Sequence, residues 1–139
     1  QKLGIIKYEG VEGVRKVYQE VLEEAIKTKE DILAFESGTD FVNLGNMFFE
    51  RYISKRIASN IKAYVITPDA PADREYKKNY EGKFTYIKLV SHLDIKANIN
   101  IVSDLVMTFS LDPPQGTLRR NHDEACTLKA VFRKLWENN

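Results

Sequence analysis

Apolar residues along this chain switch between two spacings, and each switch marks an element. Residues 5–8 read as a short strand, ended by Glu9 and Gly10. From 11 to 28, Val14, Val17, Tyr18, Val21, Leu22 and Ala25 recur at helical spacing and predict one amphipathic helix. A second strand is expected at 31–37. A second helix should start near Thr39 or Asp40, either of which could cap it, and run to about Ser59. Its expected buried stripe is Phe41, Leu44, Phe48, Tyr52 and Ile53. Asn60 suits a left-handed terminator before a third strand at 61–67. Pro68 and Pro71 break that strand, residues 72–80 suggest a loose surface helix, and 83–90 a fourth strand.

Period-two alternation dominates the next stretch. Residues 98–103 and 105–111 predict a hairpin about Ser103 and Asp104. Such alternation puts one face on the core and the other against water, a cleft or a partner. Pro113, Pro114 and Gly116 suggest a loop, with a last short strand at 117–119. Asn121 with Glu124 predicts a capping box for a final helix, whose apolar face is Leu128, Val131, Phe132, Leu135 and Trp136. Helices alternating with strands early and a late hairpin define the fold class: α/β, a mixed sheet with helices packed on it.

Size and charge narrow the picture. The 139 residues fit one domain. A net charge of +1 provides no global field for nucleic acid or an anionic membrane. No apolar stretch approaches the roughly 20 residues of a membrane span. A single cysteine, Cys126, precludes an internal disulfide and a multi-cysteine zinc site, and suits a reducing, cytoplasmic setting. No cofactor or metal is expected. Because the chain starts at Gln1 rather than Met, it reads as a fragment of something longer.

Candidate chemistry is sparse. His92 could serve as a general base only with an orienting acid, for which Asp94 is the nearest in sequence, and a nearby nucleophile; a plain loop histidine between two strands is the favoured reading. His122 reads as part of a solvated first helical turn. Cys126 reads as a buried or half-buried structural thiol without an evident histidine partner. Arg51, Lys55, Arg56 and Lys62 form a basic cluster, either a solvated helix face or an anion site. Asn98 and Asn100 share one side of an otherwise apolar strand, facing solvent or a ligand cleft. Ser37, His92, Asn98 and Asn100 are therefore the candidate ligand-binding residues, and Thr108, Ser110 and Trp136 the candidate interface.

Four stretches together resemble the effector region of TrmB-like transcriptional regulators. They are YEGVEGVRKVY at 8–18, YISKRIASNI at 52–61 running into VITP at 65–68, NINIVSD at 98–104, and Ala125 through Phe132 to Leu135 and Trp136. The resemblance implies an upstream winged helix-turn-helix as the route to DNA, and a region built like one half of a phospholipase D fold. Active members of that superfamily carry His-x-Lys-x4-Asp, whose histidine attacks phosphorus. Laid on this chain, the three positions fall on Lys96, Asn98 and Ser103, and neither His92 nor Asp104 restores the spacing. The resemblance thus implies a regulatory or dimerisation domain spanning 1–139, not an enzyme. It would work as a homodimer with a possible small-molecule effector and no membrane partner. The alternatives are a diverged phosphodiesterase using His92 and a pure assembly module without a ligand.

Overall fold

The computed structural model describes residues 4–39 and 44–139. Seven strands form one mixed sheet in the order β1-β7-β6-β5-β2-β3-β4. They are β1 (Ile5–Glu9), β2 (Ile32–Phe35), β3 (Ala63–Pro68), β4 (Thr85–Val90), β5 (Asn98–Val102), β6 (Leu105–Leu111) and β7 (Pro114–Arg120). The helices are α1 (Gly10–Thr28), α2 (Asn46–Ala58), α3 (Pro71–Tyr80) and α4 (His122–Glu137). β2, β3 and β4 run parallel, as helical crossovers require, and the remaining pairings are antiparallel.

The sheet is covered on both faces, though unequally. α1, α2 and α3 lie on one face, where Val14, Val17, Tyr18, Val21 and Ala25 of α1 pack with Ile32, Val65, Met107 and Phe109. Each such aliphatic side chain contributes about 1.5–3 kcal/mol on full burial. Tyr18 anchors an aromatic cluster, meeting Phe49, Tyr52 and Phe109 edge-on at 5.4, 5.2 and 5.1 Å. Among the described residues, α4 is the one helix on the other face. Its Ala125 and Phe132 are buried against Ile66, Val90, Ile101 and Val106.

The α1 stripe is the one the spacing predicts. α2 differs: Phe49 and Arg56 join Ile53 as its buried residues, while Phe48 and Tyr52 are half-buried. Phe41 and the Asp40 cap lie outside the described residues. Asn60 is left-handed at φ 61°, as expected. α3 is no loose surface helix, since Asp73 is buried and Tyr76 packs against the main core. Val131 of α4 is exposed rather than part of its apolar face.

The predicted loop around 113–116 is the start of β7, paired on one side with β1 and on the other with β6. Pro114 is its first residue, where a missing N–H is tolerated. Gly116 lies under α1, where a Cβ would stand 3.3 Å from Val17. Asn121 caps α4 by accepting the Glu124 N–H at 3.0 Å. The reciprocal half of the capping box does not form, because the Glu124 carboxylate grips Arg119 instead, at 2.7 and 2.6 Å.

Candidate functional site

Two places merit description. The first is the carboxyl end of β2, where the parallel and antiparallel halves of the sheet meet. Open α/β sheets bind ligands outside their strand carboxyl ends. Here the backbone N–H of Ser37 donates to Asn98 Oδ1 at 2.8 Å, and the Ser37 hydroxyl lies 2.8 Å from that of Thr39. The Gly38 N–H and the Thr67 hydroxyl both donate to Asp73 Oδ1, each at 2.5 Å. Gly38 is packed so closely that a Cβ would stand 2.9 Å from the Ala72 carbonyl oxygen.

One layer below, the Glu36 carboxylate is 4% exposed and accepts from Tyr18 Oη at 2.7 Å and Asn100 Nδ2 at 3.0 Å. Tyr52, Tyr76 and Arg56 join Tyr18, Glu36 and Asn100 around a void of about 20 Å³, room for one water. Burial pushes the Tyr18 and Tyr76 phenols well up, and the nearby Glu36 carboxylate adds to both shifts. Burial also raises Tyr52, against the opposing pull of Arg56. Arg56 is 1% exposed and donates to the carbonyls of Ile61 and Phe84 at 2.9 and 2.7 Å, and to Thr85 Oγ1 at 2.5 Å. Among the described residues, no buried side-chain nitrogen or oxygen lacks a hydrogen-bond partner.

This arrangement changes the reading of several sequence candidates. Asn98 and Asn100 do not face water; they are buried under the helical face, holding Ser37 and Glu36. Ser37 joins them, while His92 stands exposed in the turn after β4 with a left-handed backbone at φ 61°. Arg56 is an internal clamp rather than part of a basic surface. Arg51 and Lys55 remain exposed, beside a groove of about 1020 Å³ between α1 and α2. Sequence reasoning missed the Glu36, Arg56 and Tyr76 network. Its one signal is a carboxylate directly following an apolar strand. Of the motif positions, Lys96 is exposed and lies 3.6 Å from Asp94, Asn98 is buried, and Ser103 occupies the turn at the far end of β5.

The second place is an open cleft of about 460 Å³ between α4 and the β2–β3 part of the sheet. Leu33, Tyr64, Phe132 and Trp136 form its floor and wall, with Lys29, Lys129 and Arg133 among its charged rim. Trp136 stacks on Phe132 at 5.7 Å, meets Tyr64 edge-on at 5.6 Å, and carries Lys88 Nζ 4.7 Å over its ring. Thr108 and Ser110 lie elsewhere on that face, in a shallow depression of about 330 Å³ over β1, β7 and β6. Cys126 is exposed, contrary to the buried thiol expected. The described residues include no group of three or more His, Cys, Asp or Glu side chains arranged to hold a metal ion, and no helix long and apolar enough to cross a membrane.

The mixed seven-stranded sheet with its four described helices is a phospholipase D-like α/β fold. Solved structures that share it include the following two. TrmBL2, an archaeal chromatin protein with a novel mode of DNA binding, matches with a TM-score of 0.59 at 18% identity, over 96% of this chain. The chain spans about half of that protein's length, 52%. NucT from Helicobacter pylori, a phospholipase D-like nuclease, matches with a TM-score of 0.67 at 12% identity, over 98% of this chain and 97% of that one. No protein-family model and no curated protein sequence matches the chain.

The NucT likeness corrects one expectation. The sequence reading excluded an enzyme because the His-x-Lys-x4-Asp positions are not filled. The fold as a whole is nevertheless one on which a nuclease is built, along nearly the full length of both chains. The unfilled motif does not establish a chain without enzymatic activity.

Proposed function

We propose that this chain is the regulatory domain of a TrmB-like transcription regulator, sensing a small molecule in the Trp136 cleft and pairing with a second copy of itself. The cleft carries the reading. Its volume of about 460 Å³ falls among small-molecule sites of roughly 300–1,000 Å³, and it joins aromatic walls to a charged rim. The likeness to TrmBL2, a chromatin protein that binds DNA, supports a DNA-linked role, and the resemblance to TrmB-like regulators implies a helix-turn-helix as the route to DNA. The partly uncovered sheet around Thr108 and Ser110 supports pairing of two copies, since closed two-fold pairs dominate homo-oligomers. A change in how the copies pair would alter the spacing of attached DNA-reading heads. A cytoplasmic setting belongs to the same reading.

A thermal-shift screen against sugars, nucleotides and phosphates, with light scattering alongside, tests it. At 100 times its dissociation constant a ligand adds about 2.7 kcal/mol. The expected result is a shift with one ligand class in the native chain, abolished in Trp136→Ala, and the mass of two chains in scattering. A flat screen with a dimer would leave assembly as the role. A flat screen with a monomer would sink the regulatory reading.

A second reading rests on the match along 97% of NucT, namely a diverged phosphodiesterase. Turnover of a chromogenic phosphodiester that disappears in His92→Ala would favour it.

A further inference from the structure

The start of α4 and the β5–β6 turn bring together three groups that neither reading above uses. The Asp104 Oδ1 atom lies 2.9 Å from His122 Nδ1, and His122 Nε2 lies 3.5 Å from Cys126 Sγ. Each position has a local cause. His122 and Cys126 are four residues apart on α4 and so share one helical face. Asp104 is held to the helix start by its own backbone, whose carbonyl accepts the Asn121 N–H at 2.9 Å. Carboxylate, imidazole and thiol thus stand in the order orienter, base, nucleophile. A carboxylate on Nδ1 keeps the proton there and leaves the Nε2 lone pair facing the thiol. The thiol and the imidazole are both open to solvent.

We propose that Cys126 is a reactive-thiol modification site, activated by His122 and positioned by Asp104, whose co-reactant is the disulfide of a small thiol. His122 Nε2 takes the thiol proton. The Cys126 thiolate attacks one sulfur of the disulfide, a new S–S bond forms and the old one breaks. The departing thiolate takes the proton back from the imidazolium and leaves as a free thiol. Protein and small thiol end joined as a mixed disulfide, with no net oxidant consumed. Reaction rate depends on the thiolate fraction, and an ordinary cysteine holds only a few per cent thiolate at neutral pH. The charged groups around the imidazole are Asp104 from the turn, Asp123 and Glu124 on α4 itself, and Arg119 and Arg120 on β7 with Glu24 of α1 beyond.

The test measures the rate of reaction with 4,4′-dithiodipyridine across the pH range, and mass-spectrometric adduct formation with oxidised glutathione. The native chain should react about tenfold faster near neutral pH than the same chain unfolded in denaturant. Its pH profile should carry a limb from the imidazole. His122→Gln should remove both the excess rate and that limb, Asp104→Asn should remove part of them, and Cys126→Ser should take no adduct. Circular dichroism confirms that each variant stays folded. A native rate equal to that of the unfolded chain, or an unchanged rate and profile in His122→Gln, would overturn the assignment.

Discussion

The two faces of the sheet use polar groups in opposite ways. Under α1, α2 and α3, Glu36, Asn100, Tyr18, Asp73 and Arg56 are sealed from water and bonded to one another or to backbone. Under α4, the buried layer is apolar and the polar groups stand at the rim of an open cleft. The first arrangement fixes backbone: Asp73 ties Gly38 and Thr67 to α3, and Arg56 ties the end of α2 to the starts of β3 and β4. The second leaves aromatic surface free to meet something else. The polar network and the open aromatic surface thus lie on opposite sides of one sheet.

The largest expected effect that tests this contrast is alkaline. Tyr18, Tyr52 and Tyr76 all have raised pKa values on the sealed face, burial being the first cause. An unfolded chain releases phenol protons near pH 10. Above that value the folded state still holds protons that the unfolded state has lost, so stability falls as pH rises. Below it the contribution is fully present. The phenolate absorbance of these three should therefore appear together with loss of the circular-dichroism signal. If they ionised near pH 10 with the fold intact, the face would not be sealed. Next in size is Arg56→Ala. It removes a donor from the Ile61 carbonyl, while the Phe84 carbonyl keeps the Ala63 N–H and the Thr85 hydroxyl keeps the Lys83 carbonyl, at a cost of about 3 kcal/mol in denaturant titration. A loss under about 1 kcal/mol would mean that water replaces the guanidinium.

The sealed face was the less legible of the two. The α1 stripe, the strand order along the chain and the Asn121 cap follow from spacing and cap chemistry, which are local. Arg56 does not. Near a helix C-terminus a cation is expected to complement the dipole from solvent, and only the arrival of β3 and β4 turns it inward. Asn98 and Asn100 follow the same logic. Alternation correctly puts them on one face, but only the docking of Tyr18 and Glu36 decides that this face is dry. Trp136 entered as an interface candidate from the aromatic end of its helix, and only the tertiary fold sets it beside Tyr64 and Lys88. Cys126 was given no histidine partner from the sequence, although His122 lies four residues before it, and the approach of Asp104 depends on the tertiary fold.

A third perturbation, Trp136→Ala, probes the open side. The side chain is half-buried, so truncation should cost about 1–2 kcal/mol, well short of the 3–5 of a core tryptophan. A loss as large as that of Arg56→Ala would make the tryptophan a structural keystone rather than cleft wall, and would erase the contrast.

The smallest effect compares the faces within one strand. Adjacent Arg119 and Arg120 of β7 point to opposite sides. Arg120 reaches Glu24 of α1 at 2.8 and 3.0 Å, and Arg119 reaches Glu124 of α4 at 2.7 and 2.6 Å. The arginine hydrogen bonds hold both glutamates below the usual carboxylate range. A lowered pKa stabilises the fold above the unfolded-state value, and that contribution is lost as pH falls through the folded one. Glu24→Gln and Glu124→Gln should each cost about 1 kcal/mol or less at neutral pH, and each should flatten the acid limb of stability against pH. The Glu24 side chain is 9% exposed and that of Glu124 31%, so screening by solvent is weaker for the first. Glu24→Gln should therefore show the larger loss and the smaller dependence on salt. Equal losses with equal salt dependence would show that the two faces are sealed alike at their rims, and that their difference begins only deeper in, at Glu36 and Arg56.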